Sequence, residues 1–135
     1  MRADAETERA VLAALERLND VFATKSVEAG VAIFGGHEDA VMFGSEDYEV
    51  ARGPAEIAGL MERLFEYPMT FRWRWDATDV RRAGDVVWVA AESTLRVLSD
   101  GGEEETPYRV TAVFVRRDGD WGLVHFHGTQ PVATG

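Results

Sequence analysis

The sequence predicts a single α+β domain in which three N-terminal helices cover one face of a strongly curved antiparallel sheet. In the first half of the chain apolar residues recur at helical spacing, and from Thr70 onward they alternate with polar residues as in β-strands. The chain of 135 residues has the length of one domain, residues 1–135. A helical half followed by a stranded half is typical of the α+β class.

The first helix is predicted over residues 5–24, with Asp4 as its N-cap and acidic residues in its first turn. Ser26 can cap a second, short helix, which Gly35 and Gly36 end. A third helix begins at Gly53-Pro54, where proline suits the first turn. Its apolar stripe consists of Ile57, Leu60, Met61, Leu64 and Phe65. The helical half therefore contains a hairpin of two helices and a third helix.

Residues 40–43 form a predicted short strand, and a turn over residues 44–47 returns the chain to Val50. A long strand starts at Thr70, and three more are predicted over residues 86–98, 108–115 and 121–129. The segment 99–106 is expected to be an acidic, solvated loop. The four long strands are expected to pair as an antiparallel meander.

The composition excludes several classes of function. A net charge of −10 repels phosphate backbones and anionic lipid, so neither a nucleic acid nor a membrane partner is expected. The chain has no cysteine, which removes disulfides, thiolate zinc sites and a cysteine nucleophile. The polar first residues and the lack of a long apolar run predict a cytoplasmic location.

The last strand carries two histidines, His125 and His127, on one face together with Leu123, whereas Phe126 and Gly128 share the other face. A His-x-His pair can ligate a metal, but no third ligand is identifiable, so no metal is predicted. His127 could instead act as a general acid or base, or form a structural hydrogen bond.

The second long strand also has two distinct faces. One face mixes Trp88 and Glu92 with smaller and polar residues, which suits either a cavity wall or a solvent-facing surface. In an apolar cavity burial would raise the pKa of Glu92 and suit it to acid–base catalysis. The alternative is a surface salt bridge from Glu92 to Arg96 or Arg109.

Several segments together carry a family resemblance. Residues 26–29 leading to Phe34, residues 39–43, and Arg52-Gly53 before the third helix resemble the nuclear transport factor 2-like superfamily, which includes the SnoaL-like proteins. Residues 116–128 resemble the last hairpin of the calcium/calmodulin-dependent kinase association domain. The resemblance implies a cone-like, cystatin-like fold with an apolar cavity, and a homodimer formed through the convex face of the sheet.

The resemblance also implies that the cone binds a small hydrophobic molecule. Glu92 and His127 are the catalytic candidates of a cofactor-independent isomerase, dehydratase or cyclase, and no cofactor is expected. The residues expected to border the cone are Phe22, Phe43, Tyr48, Trp73, Trp88, Tyr108, Phe114 and Phe126. The alternative is a non-catalytic domain for dimerisation or assembly.

The residues of ketosteroid isomerases, which belong to the same superfamily, are not present. The carboxylate base of those enzymes falls near Phe43 or Gly44, and the internal aspartate falls near Thr111 or Ala112. Steroid isomerisation by that route is therefore not expected. His37, Glu38 and Asp39 place a histidine beside two acids, but this segment is expected to be a solvated loop.

Overall fold

The computed structural model describes residues 1–132 and residue 134. Within them the chain forms the helices α1 (Ala5–Thr24), α2 (Val27–Ile33) and α3 (Gly53–Phe65), and the strands β1 (Val41–Phe43), β2 (Val50–Arg52), β3 (Thr70–Ala83), β4 (Val86–Ser99), β5 (Gly102–Arg117) and β6 (Asp120–Thr129). This order confirms the predicted α+β class. No helix among the described residues combines the length and apolar character that a membrane span requires.

The helix ends follow the predicted capping chemistry. The carboxylate of Asp4 accepts a hydrogen bond from the Thr7 N–H at 3.3 Å, and the hydroxyl of Ser26 accepts one from the Ala29 N–H at 3.2 Å. Helix α1 ends at Lys25, which adopts a left-handed conformation with φ of 58° and donates its N–H to the Val21 carbonyl at 2.7 Å. Local sequence therefore sets the limits of α1 and α2.

The six strands form one sheet in the order β2-β1-β6-β5-β4-β3. Strands β3 to β6 pair as the predicted antiparallel meander, and β1 adds to β6 in parallel, with Phe43 opposite His127. The helices pack on one face of this sheet, which we call the inner face, and the opposite face is the outer face. The core lies between the helices and the inner face.

Asn19 joins α1 to the inner face through the backbone of β3. Its side chain donates to the Trp73 carbonyl at 2.7 Å and accepts from the Trp73 N–H at 2.8 Å, and both residues are buried. The two bonds satisfy both backbone polar groups of one residue on the side of β3 that faces the helix. Asn19 thereby holds Trp73 at a defined position under α1.

Strand β4 shows which of its two faces is buried. Val87, Val89 and Ala91 are buried on the inner face, whereas Trp88 and Glu92 alternate with them and lie exposed on the outer face. The expectation that Trp88 and Glu92 border the cone is therefore wrong. The physical reason is that one of the two alternating sets of β4 residues is more uniformly apolar, and the helices cover that set.

A bulge changes the faces of β6. Phe114 pairs with Leu123 and Val113 pairs with His125, which leaves Val124 unpaired between them. Leu123 therefore joins Phe126 on the inner face, and both are buried. The expectation that Leu123 shares a face with the two histidines is wrong, because strict alternation fails at a bulge.

The hairpin of β4 and β5 is longer than predicted. Pairing continues to Ser99 and Gly102, so the acidic segment expected to be a loop lies mostly in β5. Arg96 forms ion pairs with Glu103 and Glu105 across the two strands, and Arg74 approaches Glu105 at 3.9 Å. Cross-strand pairs of opposite charge favour strand pairing over a loop at this acidic segment.

Candidate ligand-binding site

A cavity of about 140 Å³ lies between the inner face and the turn that joins β1 to β2. Its walls come from α1, from β3 to β6 and from this turn. The lining residues are Phe22, Met42, Phe43, Gly44, Ser45, Glu46, Glu49, Phe71, Trp73, Leu95, Tyr108, Phe126 and Gln130. Apolar side chains form the walls, and polar groups lie around the turn at residues 45–49 and at Gln130. We call this cavity the aromatic pocket.

Trp73 is the central ring of the aromatic pocket. Its ring centroid lies 5.0 Å from that of Phe22 in an edge-to-face arrangement and 6.0 Å from that of Tyr108. Phe126 adds a further edge-to-face contact at 6.3 Å. Such pairs are favourable beyond the burial of their area. The rings fill most of the space under the helices, which is why the remaining cavity is small.

The turn at residues 44–49 places a carboxylate at the mouth of the aromatic pocket. Glu49 accepts a hydrogen bond from the Glu46 N–H at 2.9 Å, and its backbone carbonyl accepts one from the Gly44 N–H at 2.8 Å. The hydroxyl of Ser45 accepts from the Gln130 N–H at 3.1 Å, which joins the turn to the end of β6. These bonds hold Glu49 and Ser45 beside the pocket.

Two glycines make room for the polar groups of the pocket. A Cβ atom at Gly44 would lie 2.7 Å from Oε2 of Glu49, and one at Gly128 would lie 2.6 Å from the phenol oxygen of Tyr108. Both distances are shorter than any normal contact of a side chain. The carboxylate and the phenol can therefore occupy their positions only because Gly44 and Gly128 have no side chain.

Burial changes the acidity of these two groups. It raises the pKa of the Tyr108 phenol to about 12, with a smaller opposing effect from a hydrogen bond to Ser45. Burial also raises the pKa of the Glu49 carboxyl, and the hydrogen bond from the Glu46 N–H opposes this in part. At neutral pH Tyr108 is a neutral hydrogen-bond donor, and Glu49 accepts a proton more readily than an ordinary glutamate.

Tyr48 lies outside the lining of the aromatic pocket. Its hydroxyl and that of Tyr67 are 2.6 Å apart, and the guanidinium of Arg63 stacks over its ring at 3.8 Å from the centroid. The expectation that Tyr48 borders the cavity is wrong, because the turn directs its ring toward α3. Through these contacts Tyr48 instead stabilises the turn that contains Glu49.

Phe114 and Phe43 also differ from the expectation. Phe114 is fully buried in the core and does not line the cavity. Phe43 borders the cavity, but its ring packs against His125 and His127 on the outer face, at 6.1 and 5.6 Å between centroids. Its neighbour Met42 is the buried residue of β1, because it pairs with Phe126 on the inner face.

The structure does not bring the two catalytic candidates together with the aromatic pocket. Glu92 lies exposed on the outer face of β4 opposite Arg109, and His127 lies exposed on the outer face of β6. Neither lines the cavity. Of the residues expected to border it, Phe22, Trp73, Tyr108 and Phe126 present buried rings in its walls.

Sequence reasoning missed Glu49, Ser45 and Gln130 as site residues. Their positions depend on a turn and on the chain after the last strand, where no periodicity predicts the direction of a side chain. Gly44 was the available signal, since a glycine directly after a short strand often marks a close approach of another group. A single glycine does not identify the group that approaches.

A second, open groove of about 1060 Å³ runs between α1, α2 and the hairpin of β5 and β6. His37 lies at its base and is 5% exposed, so the expectation of a solvated loop is wrong for this residue. A Cβ atom at Gly122 would lie 2.5 Å from Nε2 of His37, so the imidazole packs directly on the glycine backbone. Burial, followed by the charge of Arg117, lowers the pKa of His37.

The fold defines a class of proteins. A nuclear transport factor 2-like superfamily protein from Salmonella enterica superposes with a TM-score of 0.83 at 16% identity, covering 98% of this chain and 96% of its own. ActVI-ORFA from Streptomyces coelicolor superposes at 0.78 with 20% identity, covering 93% of this chain and 98% of its own. These similarities show the cone-like fold shared with the nuclear transport factor 2-like proteins.

A third solved structure is similar over nearly the whole chain. A Xanthomonas campestris protein, assigned provisionally as a calcium/calmodulin dependent protein kinase II association domain, superposes with a TM-score of 0.78 at 20% identity, covering 93% of this chain and 89% of its own. The profile of the SnoaL-like domain matches residues 11–133. The chain therefore belongs to the SnoaL-like domain family. No curated protein matches the sequence significantly.

Proposed function

We propose that the protein binds a small hydrophobic molecule in the aromatic pocket, with the polar group of that molecule at the mouth. The observation that carries the proposal is the convergence of Tyr108 and Glu49 on one end of an aromatic cavity. Apolar walls with a few placed polar groups are typical of small-molecule sites. Gly44 and Gly128 support the proposal, because they leave space for the Glu49 carboxylate and the Tyr108 phenol.

The volume limits the size of the ligand. A cavity of about 140 Å³ is smaller than the roughly 300–1,000 Å³ of pockets for larger metabolites. An apolar cavity of about 150 Å³ in another protein accommodates benzene. The ligand proposed here is accordingly about the size of one ring with a short substituent.

Proton transfer is the chemistry that the polar groups support. Glu49 can accept or return a proton because burial raises its pKa, and the neutral Tyr108 can donate a hydrogen bond to a developing negative charge. This is the kind of step used in a cofactor-independent isomerisation, dehydration or cyclisation. In this proposal Glu49 and Tyr108 replace Glu92 and His127 as the catalytic candidates.

A screen of molecules with up to about ten non-hydrogen atoms, observed through the indole N–H signal of Trp73 by NMR, tests the proposal. We expect binders to shift this signal, and we expect Leu95→Phe, which fills the pocket, to abolish the shifts. Ala90→Phe adds a larger side chain to the outer face of the same strand and should leave them unchanged. Shifts that persist in Leu95→Phe would place the ligand elsewhere.

The second candidate function is assembly through the outer face, and a specific observation favours it. Trp88 is 40% exposed and Val86 is 38% exposed, and the two lie two residues apart on this face of β4, where a partner could cover both. A homodimer would cover them. We expect Trp88→Lys to lower the mass measured by light scattering from that of a dimer to that of a monomer, whereas a wild-type protein that is already monomeric would contradict this candidate.

A further inference from the structure

The charges around the aromatic pocket have one sign. Glu46 and Glu49 both line it, and among its described lining residues none is a lysine or arginine. The whole chain carries a net charge of −10, so its field adds to that of the two carboxylates. An anionic ligand would be repelled at this mouth, and a cationic ligand would be attracted to it.

Glu49 also lacks a positive partner. Within the described part of the chain the ion pairs involve other acids, and neither Glu46 nor Glu49 takes part in one. Arg63, whose charge acts on Glu49, stacks over Tyr48 and forms no ion pair with the carboxylate. Burial raises the pKa of the Glu49 carboxyl, and the Glu46 N–H and the charge of Arg63 oppose this only in part. A carboxylate in this situation is stabilised by a cationic ligand.

The walls of the pocket suit the apolar part of such a cation. Five of the lining residues have aromatic rings on the inner side, namely Phe22, Phe71, Trp73, Tyr108 and Phe126. Aromatic walls contact the apolar part of an organic ammonium ion, and a ring beside its charged nitrogen attracts it through cation–π interaction, which strengthens when the ion is desolvated. The contact of Arg63 with Tyr48 is an interaction of the same kind beside the pocket.

We infer that the ligand of the aromatic pocket is a small organic ammonium ion, whose charged nitrogen lies beside Glu49 while its apolar part contacts the aromatic walls. The inference rests on the proposed function and names the chemical class of its ligand. A neutral carbonyl compound could accept a hydrogen bond from Tyr108, but it would leave the charge of Glu49 uncompensated. An ammonium ion uses both the carboxylate and the rings.

Three probes of nearly equal shape test the inference: benzylammonium, benzyl alcohol and benzoate. Their dissociation constants are measured at pH 7 by NMR titration, with the Trp73 indole and the backbone amides of residues 44–49 as reporters. We expect benzylammonium to bind about tenfold more tightly than benzyl alcohol, and benzoate not to bind. Glu49→Gln keeps an acceptor for the Glu46 N–H, so it should reduce the affinity for benzylammonium to about that for benzyl alcohol.

Glu62→Gln is the matched control, because Glu62 is exposed on α3, does not line the pocket, and its replacement changes the net charge equally. It should retain the preference. Equal binding of benzylammonium and benzyl alcohol would overturn the ammonium inference and leave the proposed function intact. A preference that survives Glu49→Gln would overturn the role given to Glu49. If no probe shifts the reporters, both the inference and the proposed function fail.

Discussion

The inner and outer faces of the long strands both carry tryptophan and polar side chains, but in different environments. Trp73 on the inner face is 6% exposed and lies among other rings, whereas Trp88 on the outer face is 40% exposed. Ser93 is buried on the inner face and donates its hydroxyl to the Tyr108 carbonyl at 3.0 Å. On the outer face Arg74 and Asp76 form an exposed ion pair.

The difference shows that the same residue type contributes differently according to what covers it. On the inner face each ring is desolvated and each buried polar group needs a partner, so a substitution there changes stability or binding. On the outer face water remains available, and exposed ion pairs contribute little. Substitutions on the inner face are therefore expected to affect folding and the pocket more than substitutions on the outer face.

The largest contrast is expected between Phe114→Ala and Trp88→Ala. Phe114 is fully buried, so its truncation leaves a cavity and should lower the free energy of unfolding by about 3–5 kcal/mol. Trp88 is on the outer face, and its truncation in the monomer should cost less than about 1 kcal/mol. Urea unfolding measures both values, and equal losses would show that the outer face is also covered.

Asn19→Ala tests the attachment of the inner face to α1. The change leaves the N–H and carbonyl of Trp73 buried without these partners, and we expect a loss of about 2–4 kcal/mol. Arg17→Ala, an exposed position on the same helix, should stay within about 0.5 kcal/mol of wild type. Chemical denaturation provides the comparison, and a loss no larger than that of Arg17→Ala would contradict the role of Asn19.

Gly128→Ala tests how closely the inner face is packed at the aromatic pocket. The new methyl group would overlap the phenol of Tyr108, so the ring must move, and we expect a loss of about 1–3 kcal/mol together with altered pocket signals in NMR spectra. Gly59→Ala is the control, because a Cβ atom there has no neighbour within 4 Å and alanine favours a helix. Equal losses in the free energy of unfolding for the two variants would show that overlap with Tyr108 is not what destabilises Gly128→Ala.

The smallest expected effect is the contribution of His37 to the pH dependence of stability. Burial holds its pKa below the ordinary value of about 6.5, so the unfolded chain takes up a proton first as the pH falls. Stability should therefore decline below about pH 6.5, by at most about 1.4 kcal/mol per pH unit, until the folded-state pKa is passed.

The comparison of wild type with His37→Gln, by urea unfolding at several pH values between 5 and 8, isolates this contribution. The variant should lack that part of the decline. His127→Gln, which changes an exposed histidine on the outer face, should decline like wild type. Parallel curves for wild type and His37→Gln would show that His37 does not carry the effect.

Most of the fold was predictable from local patterns. Asp4 and Ser26 mark the starts of α1 and α2 because capping needs only neighbouring residues. The alternation of residues after Thr70 identified strands, and the meander followed from their spacing. The parallel addition of β1 to β6 was not predicted, because that pairing joins residues far apart in the chain.

The site was less predictable than the fold. Phe22, Trp73, Tyr108 and Phe126 were expected in the lining from the family resemblance, which implies a cavity between the helices and the sheet. Glu92 was placed on the wrong face, because alternation separates two sets of residues without showing which set the helices cover. Glu49 was missed, because its carboxylate reaches the pocket through the shape of a turn.

The sequence by itself determined the α+β class, the limits of the helices and the existence of four paired strands, because these depend on interactions between near neighbours. Only the tertiary structure decided which face of β4 is inner, where β6 bulges and which carboxylate meets the aromatic rings. These features depend on which distant segments pack together in the core. A local sequence pattern cannot show this, because it reports only interactions between near neighbours.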